Sequence, residues 1–148
     1  MVDREARDEA AELVRQFISG KTFNFDFEDA VPVSADPAIH AIWDSLWPFY
    51  CDFRKHKMKN EWAIAPELKH QMARWVLFLH TDEEYLWPKI SYPGIRPKHI
   101  GPLARLLGLD RKQNIFLQSG KHAVWPFISE ESFINAKKHP KLMMGSSC

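Results

Sequence analysis

Cysteine is scarce in this 148-residue chain, which holds only Cys51 and Cys148. So few cysteines exclude a disulfide-dense secreted scaffold and a cysteine-rich zinc site. Glycine is nearly as sparse, at six residues. These are scattered, so neither a GxxxxGK[ST] phosphate loop nor a GxGxxG turn is present, and GxSxG is missing as well. No apolar run approaches the roughly 18 residues of a membrane span. The longest, Trp75 to Leu79, fits a buried helix segment. Charge of one sign is also lacking: 20 Lys and Arg stand against 19 Asp and Glu, a net of +1. That balance argues against a dedicated nucleic-acid binder, which is usually strongly basic. The opening MVDREARDEAAELV is acidic and mixed rather than basic and then apolar, so a secretory signal is not expected. The expectation is a cytoplasmic, reduced protein with no membrane association. Cys51 is expected to pack as a small hydrophobe, and Cys148 to lie unpaired in a flexible tail at 143–148.

Aromatic residues and proline are plentiful instead, with six Trp, ten Phe and ten Pro. Their spacing is helical. Ala6, Ala10, Leu13, Val14, Phe17 and Ile18 form one face, which predicts a helix over 4–18 capped by Asp3 and stopped at Gly20. Asp36-Pro37 reads as a cap followed by Pro at the first helical position. The face Ile39, Ile42, Trp43, Leu46, Trp47 and Tyr50 then predicts a helix over 37–50, with Pro48 forcing a kink or an early end. Leu68, Met72, Trp75, Val76 and Leu79 predict a third helix over 66–80. Between the first two, Phe23, Phe25 and Phe27 alternate like a strand, while Asp26, Glu28 and Asp29 favour a short helix, the preferred reading.

Beyond residue 88 the texture becomes turn-rich. Pro93-Gly94 and Arg96-Pro97 mark turns, PLARLLGL at 102–109 reads as a short helix, and 130–138 as another, opened by Ser129. Residues 114–118 and 122–125 read as a short hairpin, which would make the class α+β. The fold expected is a single, mainly α domain over 1–148. A helical core at 4–88 packs on aromatic residues, and a smaller mixed part, basic in charge, occupies 89–148. Three Trp-Pro steps, at 47, 87 and 125, are read as large side chains buried where elements end.

Few residues suggest chemistry. His40 and Asp44 stand i, i+4 on one helix face, but two ligands do not make a metal site and His70 has no partner at a matching spacing. His80 lies beside Asp82, Glu83 and Glu84, a pattern that serves proton transfer or, more simply, complements a helix terminus. Cys51 and His56 are close only in sequence. No metal or cofactor is implied. Charge patterning says more. Residues 1–30 carry four basic and eight acidic side chains, residues 31–88 six and eight, and residues 89–148 ten and three. The neutral total therefore conceals an acidic first part and a basic last part, with a local acidic cluster at Asp26, Glu28 and Asp29 and a basic run from Arg54 to Lys59.

The segments Phe27-Glu28-Asp29-Ala30-Val31-Pro32, Phe78-Leu79-His80-Thr81-Asp82-Glu83-Glu84-Tyr85-Leu86-Trp87-Pro88 and Trp125-Pro126-Phe127 together resemble a group of small uncharacterised bacterial cytoplasmic proteins. That group carries F-E-D-x-x-P and F-L-x-[ST]-D-x-E-Y-x-W-P segments and has no assigned activity. Comparison with toxin-immunity proteins is by analogy only. The reading that follows is a non-enzymatic, immunity-like module using Asp26, Glu28, Asp29, Asp82, Glu83 and Glu84 to meet a basic protein partner. The alternatives are a nucleic-acid-associated protein using the basic last part, and a small hydrolase using His80 with Asp82 or Glu84.

Overall fold

The computed structural model describes residues 1–89 and 100–138, and within these the chain is helical, with no strand. The expected turns at 93–97, the 143–148 tail and Cys148 lie outside the described residues. In chain order the helices are α1 (Arg4–Ile18), α2 (Asn24–Asp29), α3 (Pro37–Leu46), α4 (Pro66–Leu79), α5 (Pro102–Leu106), α6 (Arg111–Gln118) and α7 (Glu130–Lys138). Short 3-10 turns occupy Trp47–Phe49, Asn60–Trp62 and His122–Val124.

α1 begins and ends as its sequence predicts. The Asp3 carboxylate accepts a hydrogen bond from the Ala6 amide at 3.2 Å, supplying one of the partners that a helix N-terminus lacks. At the other end Gly20 takes φ +69°. The Lys21 and Gly20 amides then donate to the Gln16 and Phe17 carbonyls, both at 2.9 Å. That pair of bonds is the Schellman arrangement, open mainly to glycine because it needs a left-handed residue. α1 packs chiefly on α4, and α3 and α7 also lean on α4. Ala6, Ala10, Val14 and Phe17 are buried from α1, Ile39, Ile42, Trp43 and Leu46 from α3, and Met72, Trp75, Val76 and Leu79 from α4.

The aromatic side chains form two zones. In the first, Phe27 is sandwiched between Phe17 and Trp43, with ring centroids 4.2 and 4.1 Å away. The preferred reading of residues 21–35 therefore holds, because helical α2 points Phe27 inward. In the second, Trp125 meets Trp75 edge-on at 5.4 Å, Phe127 meets Phe78 at 5.0 Å, and Trp87 packs on Phe116 at 4.6 Å. Arg74 ties α4 to this zone, its Nε donating to the Trp125 carbonyl at 2.8 Å.

Two expectations need correction. Residues 114–118 belong to α6 and residues 122–124 to a 3-10 turn, so the hairpin does not form. The run Ile115-Phe116-Leu117 is too short for period alone to separate strand from helix, and helix lets Phe116 reach Trp87. Trp47 is half exposed rather than buried. Pro48 ends α3 before it, and the indole lies flat on Tyr50 at 4.9 Å instead of entering the core.

Polar loops are held by a buried amide. Asn24 donates from Nδ2 to the Cys51 and Arg54 carbonyls at 2.9 and 3.0 Å. Its Oδ1 accepts the His56 amide at 2.9 Å. The non-helical stretch at 51–56 thereby finds partners for its backbone inside the protein.

Candidate functional site

The six acidic residues singled out in the sequence fall into two groups. Asp26, Glu28 and Asp29 lie on α2, which meets the end of α1 through Phe17 and Phe27. Asp82, Glu83 and Glu84 lie after α4 at the start of α1, where Arg4 donates to the Thr81 carbonyl and forms a 3.3 Å ion pair with Asp82. A helix rises about 1.5 Å per residue, so Arg4 and Phe17 stand roughly 20 Å apart along α1, and so do the two groups they anchor. Most of these carboxylates have a neighbour of opposite or donating character. Asp26 pairs with Lys55 at 3.3 Å, Glu28 accepts from the Tyr50 hydroxyl, and Glu84 meets the Met1 amino group at 3.0 Å. Glu83 is half-buried. Burial pushes its carboxyl above the ordinary range, against the Ser132 hydroxyl and the Arg7 charge, which pull it down.

The Arg54–Lys59 run is not a free basic stripe. Lys55 and Lys57 both lie over the Phe23 ring, at 4.6 and 4.5 Å. His56 is buried edge-on to Trp62. His80 caps the end of α4. The carboxylate it meets is Asp8, with Nδ1 3.4 Å from Oδ1. Asp82 and Glu84 are drawn to Arg4 and the amino terminus instead, so the local pairing expected from the sequence is replaced by one across α1.

Two features were not expected. The first is on α5 and the turn after it, where Leu103, Leu106, Leu107 and Leu109 are 75%, 85%, 70% and 67% exposed. The spacing of three and one along Leu103, Leu106 and Leu107 is that of an apolar helix face, yet this face looks into solvent among the described residues. α5 stops in the same way as α1. Gly108 takes φ +69°, and the Leu109 amide donates to the Ala104 carbonyl at 3.1 Å. Arg105, Arg111 and Lys112, all exposed, stand among and just after the leucines in the sequence. The sequence signal was present as helix periodicity, but periodicity does not tell an inward face from an outward one.

The second is a cleft of about 360 Å³ between α3 and the segment that follows α4. Ala35, Pro37, Ala41 and Pro88 supply its apolar walls, and His40, Asp44, Tyr85 and Lys89 its polar groups. The volume falls at the lower end of small-molecule sites. The His40–Asp44 spacing noted in the sequence does bring both residues to one place. His40 Nε2 lies 2.7 Å from the Ser34 carbonyl, so a neutral ring carries its proton there and leaves Nδ1 as an acceptor. Burial pushes the Asp44 carboxyl up, against the nearby His40 charge. Tyr85 Oη accepts from Trp125 Nε1 at 3.2 Å, which leaves the phenolic proton to donate elsewhere. Burial raises the Tyr85 pKa, Trp125 lowers it and the Asp44 charge raises it again, so the phenol stays a neutral donor. Tyr85 and Lys89 were not identified from the sequence, because nothing in a linear pattern places them opposite α3.

Among the described residues no group of three or more His, Cys, Asp or Glu is placed to hold a metal ion. No described helix is long and apolar enough to cross a membrane. No protein-family model matches the chain significantly, nor does any curated protein or solved structure.

Proposed function

We propose that this chain is a non-enzymatic protein-binding module whose docking face is α5 with the start of α6. The observation that carries the reading is the outward leucine face. Large apolar side chains clustered in water mark interaction surfaces more often than accidents of folding. The rim decides the kind of partner. Residues 100–121 contain Arg105, Arg111, Lys112 and Lys121 against Asp110 alone. The complementary surface is an apolar element bordered by carboxylates, because opposite potentials speed encounter and exclude wrong partners. A bacterial, cytoplasmic, immunity-like role is the specific form of this reading, and it rests on the resemblance in the F-E-D-x-x-P and W-P segments by analogy. A basic partner meeting Asp26, Glu28 and Asp29, or Asp82, Glu83 and Glu84, is the competing form. Its support is the acidic charge of residues 1–88, divided here between the two ends of α1.

The test is site-specific photocrosslinking from positions 103 and 106 in cells, with the captured peptides sequenced. The expected result is a discrete partner whose crosslinked segment combines apolar and acidic residues, lost in Leu106→Asp and retained in Asp26→Lys/Asp29→Lys. The reverse pattern of loss supports the basic-partner form. Crosslinks confined to the same molecule overturn both the face and its partner.

A further inference from the structure

The cleft beside α3 has a chemical logic independent of the leucine face. Its polar groups are of opposite kinds and come from opposite walls. α3 contributes Asp44, and the segment after α4 contributes Tyr85 and Lys89. Among the described residues the Asp44 carboxylate accepts no hydrogen bond and the Lys89 ammonium meets no carboxylate. Tyr85 Oη accepts from Trp125, and its own O–H is not used in that bond. The walls between are small and apolar, and among the described residues His40, on the same helix as Asp44, is the lining group whose charge bears on that carboxylate. A guest that is only anionic leaves Asp44 in repulsion, and one that is only cationic leaves Lys89 so. Both are answered by one molecule that bears an ammonium and a carboxylate on an apolar body.

We infer that this cleft binds a small zwitterion of the amino-acid class, its ammonium held by Asp44 and its carboxylate by the Tyr85 hydroxyl and Lys89. When its ring is neutral, His40, on the same helix as Asp44, has Nδ1 as a further acceptor. The cleft volume of about 360 Å³ corresponds to about a dozen water-sized groups at roughly 30 Å³ each. That is room for an amino acid with a medium side chain.

The experiment is an NMR titration of the full chain, following the amides of His40, Ala41 and Tyr85. The probes are the twenty free amino acids, with acetate and methylammonium as single-charge controls. At least one amino acid is expected to shift these signals saturably, with affinity tenfold or more above either control. Asp44→Asn and Lys89→Met are each expected to weaken that binding tenfold or more while leaving the melting temperature unchanged. Tyr85→Phe is expected to weaken it as well. No saturable shift with any amino acid overturns the inference. So does acetate binding as tightly as the best amino acid, which marks a simple anion site, and so does an Asp44→Asn variant that binds as the parent does.

Discussion

Arg7 and Asp36 form a two-point ion pair with both side chains wholly buried, Nε to Oδ2 at 2.6 Å and Nη2 to Oδ1 at 3.2 Å. Each guanidinium nitrogen and each carboxylate oxygen has a partner. Arg7 Nη1 donates to the Thr81 and Glu83 carbonyls at 3.0 and 2.8 Å, and its guanidinium sits 5.2 Å from the Phe78 ring centre. Asp36 accepts the Asp3 and Ala38 amides at 3.1 and 2.9 Å, the second as the cap of α3. One pair thus joins the start of α1, the start of α3 and the chain leaving α4. It fixes the segment that continues to Tyr85 and Lys89, and with it one wall of the cleft.

Breaking this pair from one side is expected to cost about 3–5 kcal/mol, because an uncompensated charge stays buried. Arg7→Met removes the cation and strands Asp36. Arg7→Met/Asp36→Asn removes both charges while keeping a cap for α3, and is expected to recover part of the loss. Urea unfolding checks the order parent, double variant, single variant. Burial alone raises the Asp36 carboxyl, but the Arg7 bond, the two amides and the Arg7 charge together hold it below its ordinary 3.8. A lowered carboxyl stabilises the fold above its unfolded value, near pH 4, and that stabilisation disappears as pH falls through the folded value. The parent is therefore expected to lose stability below about pH 4 more steeply than the double variant.

His56 makes the opposite kind of contribution. It is 5% exposed, and among the described residues neither ring nitrogen has a hydrogen-bond partner. Burial holds its pKa below the ordinary 6.5, although Glu61 pulls it up. The fold favours the neutral ring, so below about pH 6.5 the unfolded chain takes up a proton that the folded chain resists. The stabilisation is complete above that pH and is lost as pH falls toward the folded value, by at most about 1.4 kcal/mol per pH unit. Thermal melts of His56→Phe between pH 7 and 5 are expected to be flatter than those of the parent. Parallel slopes would show that other groups govern this range.

The two left-handed glycines are expected to respond differently to alanine. At Gly20 a Cβ meets Lys59 Cγ at 2.6 Å and the Met58 carbonyl at 3.0 Å, whereas at Gly108 nothing lies within 4 Å. Both substitutions incur the left-handed penalty of about 1–2 kcal/mol. Only Gly20→Ala adds a collision, so it is expected to be the more destabilising of the two by equilibrium unfolding.

Leu106→Asp is expected to change stability by less than about 0.5 kcal/mol, since a side chain 85% exposed contributes little to the core. It is also expected to reduce binding of an apolar dye to the native protein. A large loss of stability would mean that the leucine face is packed in solution.

Local periodicity was sufficient for α1, α3 and α4, because each carries several apolar residues at three- and four-residue spacings, and α1 and α3 add a side-chain cap at Asp3 and Asp36. It was sufficient for half of the cleft as well, since His40 and Asp44 are neighbours on one helix whatever surrounds them. It failed at Ile115-Phe116-Leu117, where three apolar residues satisfy either period, and at Trp47, where Pro48 overrode the apolar face. The helical segments and the unequal distribution of charge are legible along the chain, because both depend on neighbours in sequence. Packing between distant segments sets the rest: His80 meets Asp8, Tyr85 and Lys89 share a cleft with α3, and the leucines of α5 look outward. Those outcomes depend on which surfaces remain after α1 and α4 have buried theirs against each other, and no spacing within one segment encodes that.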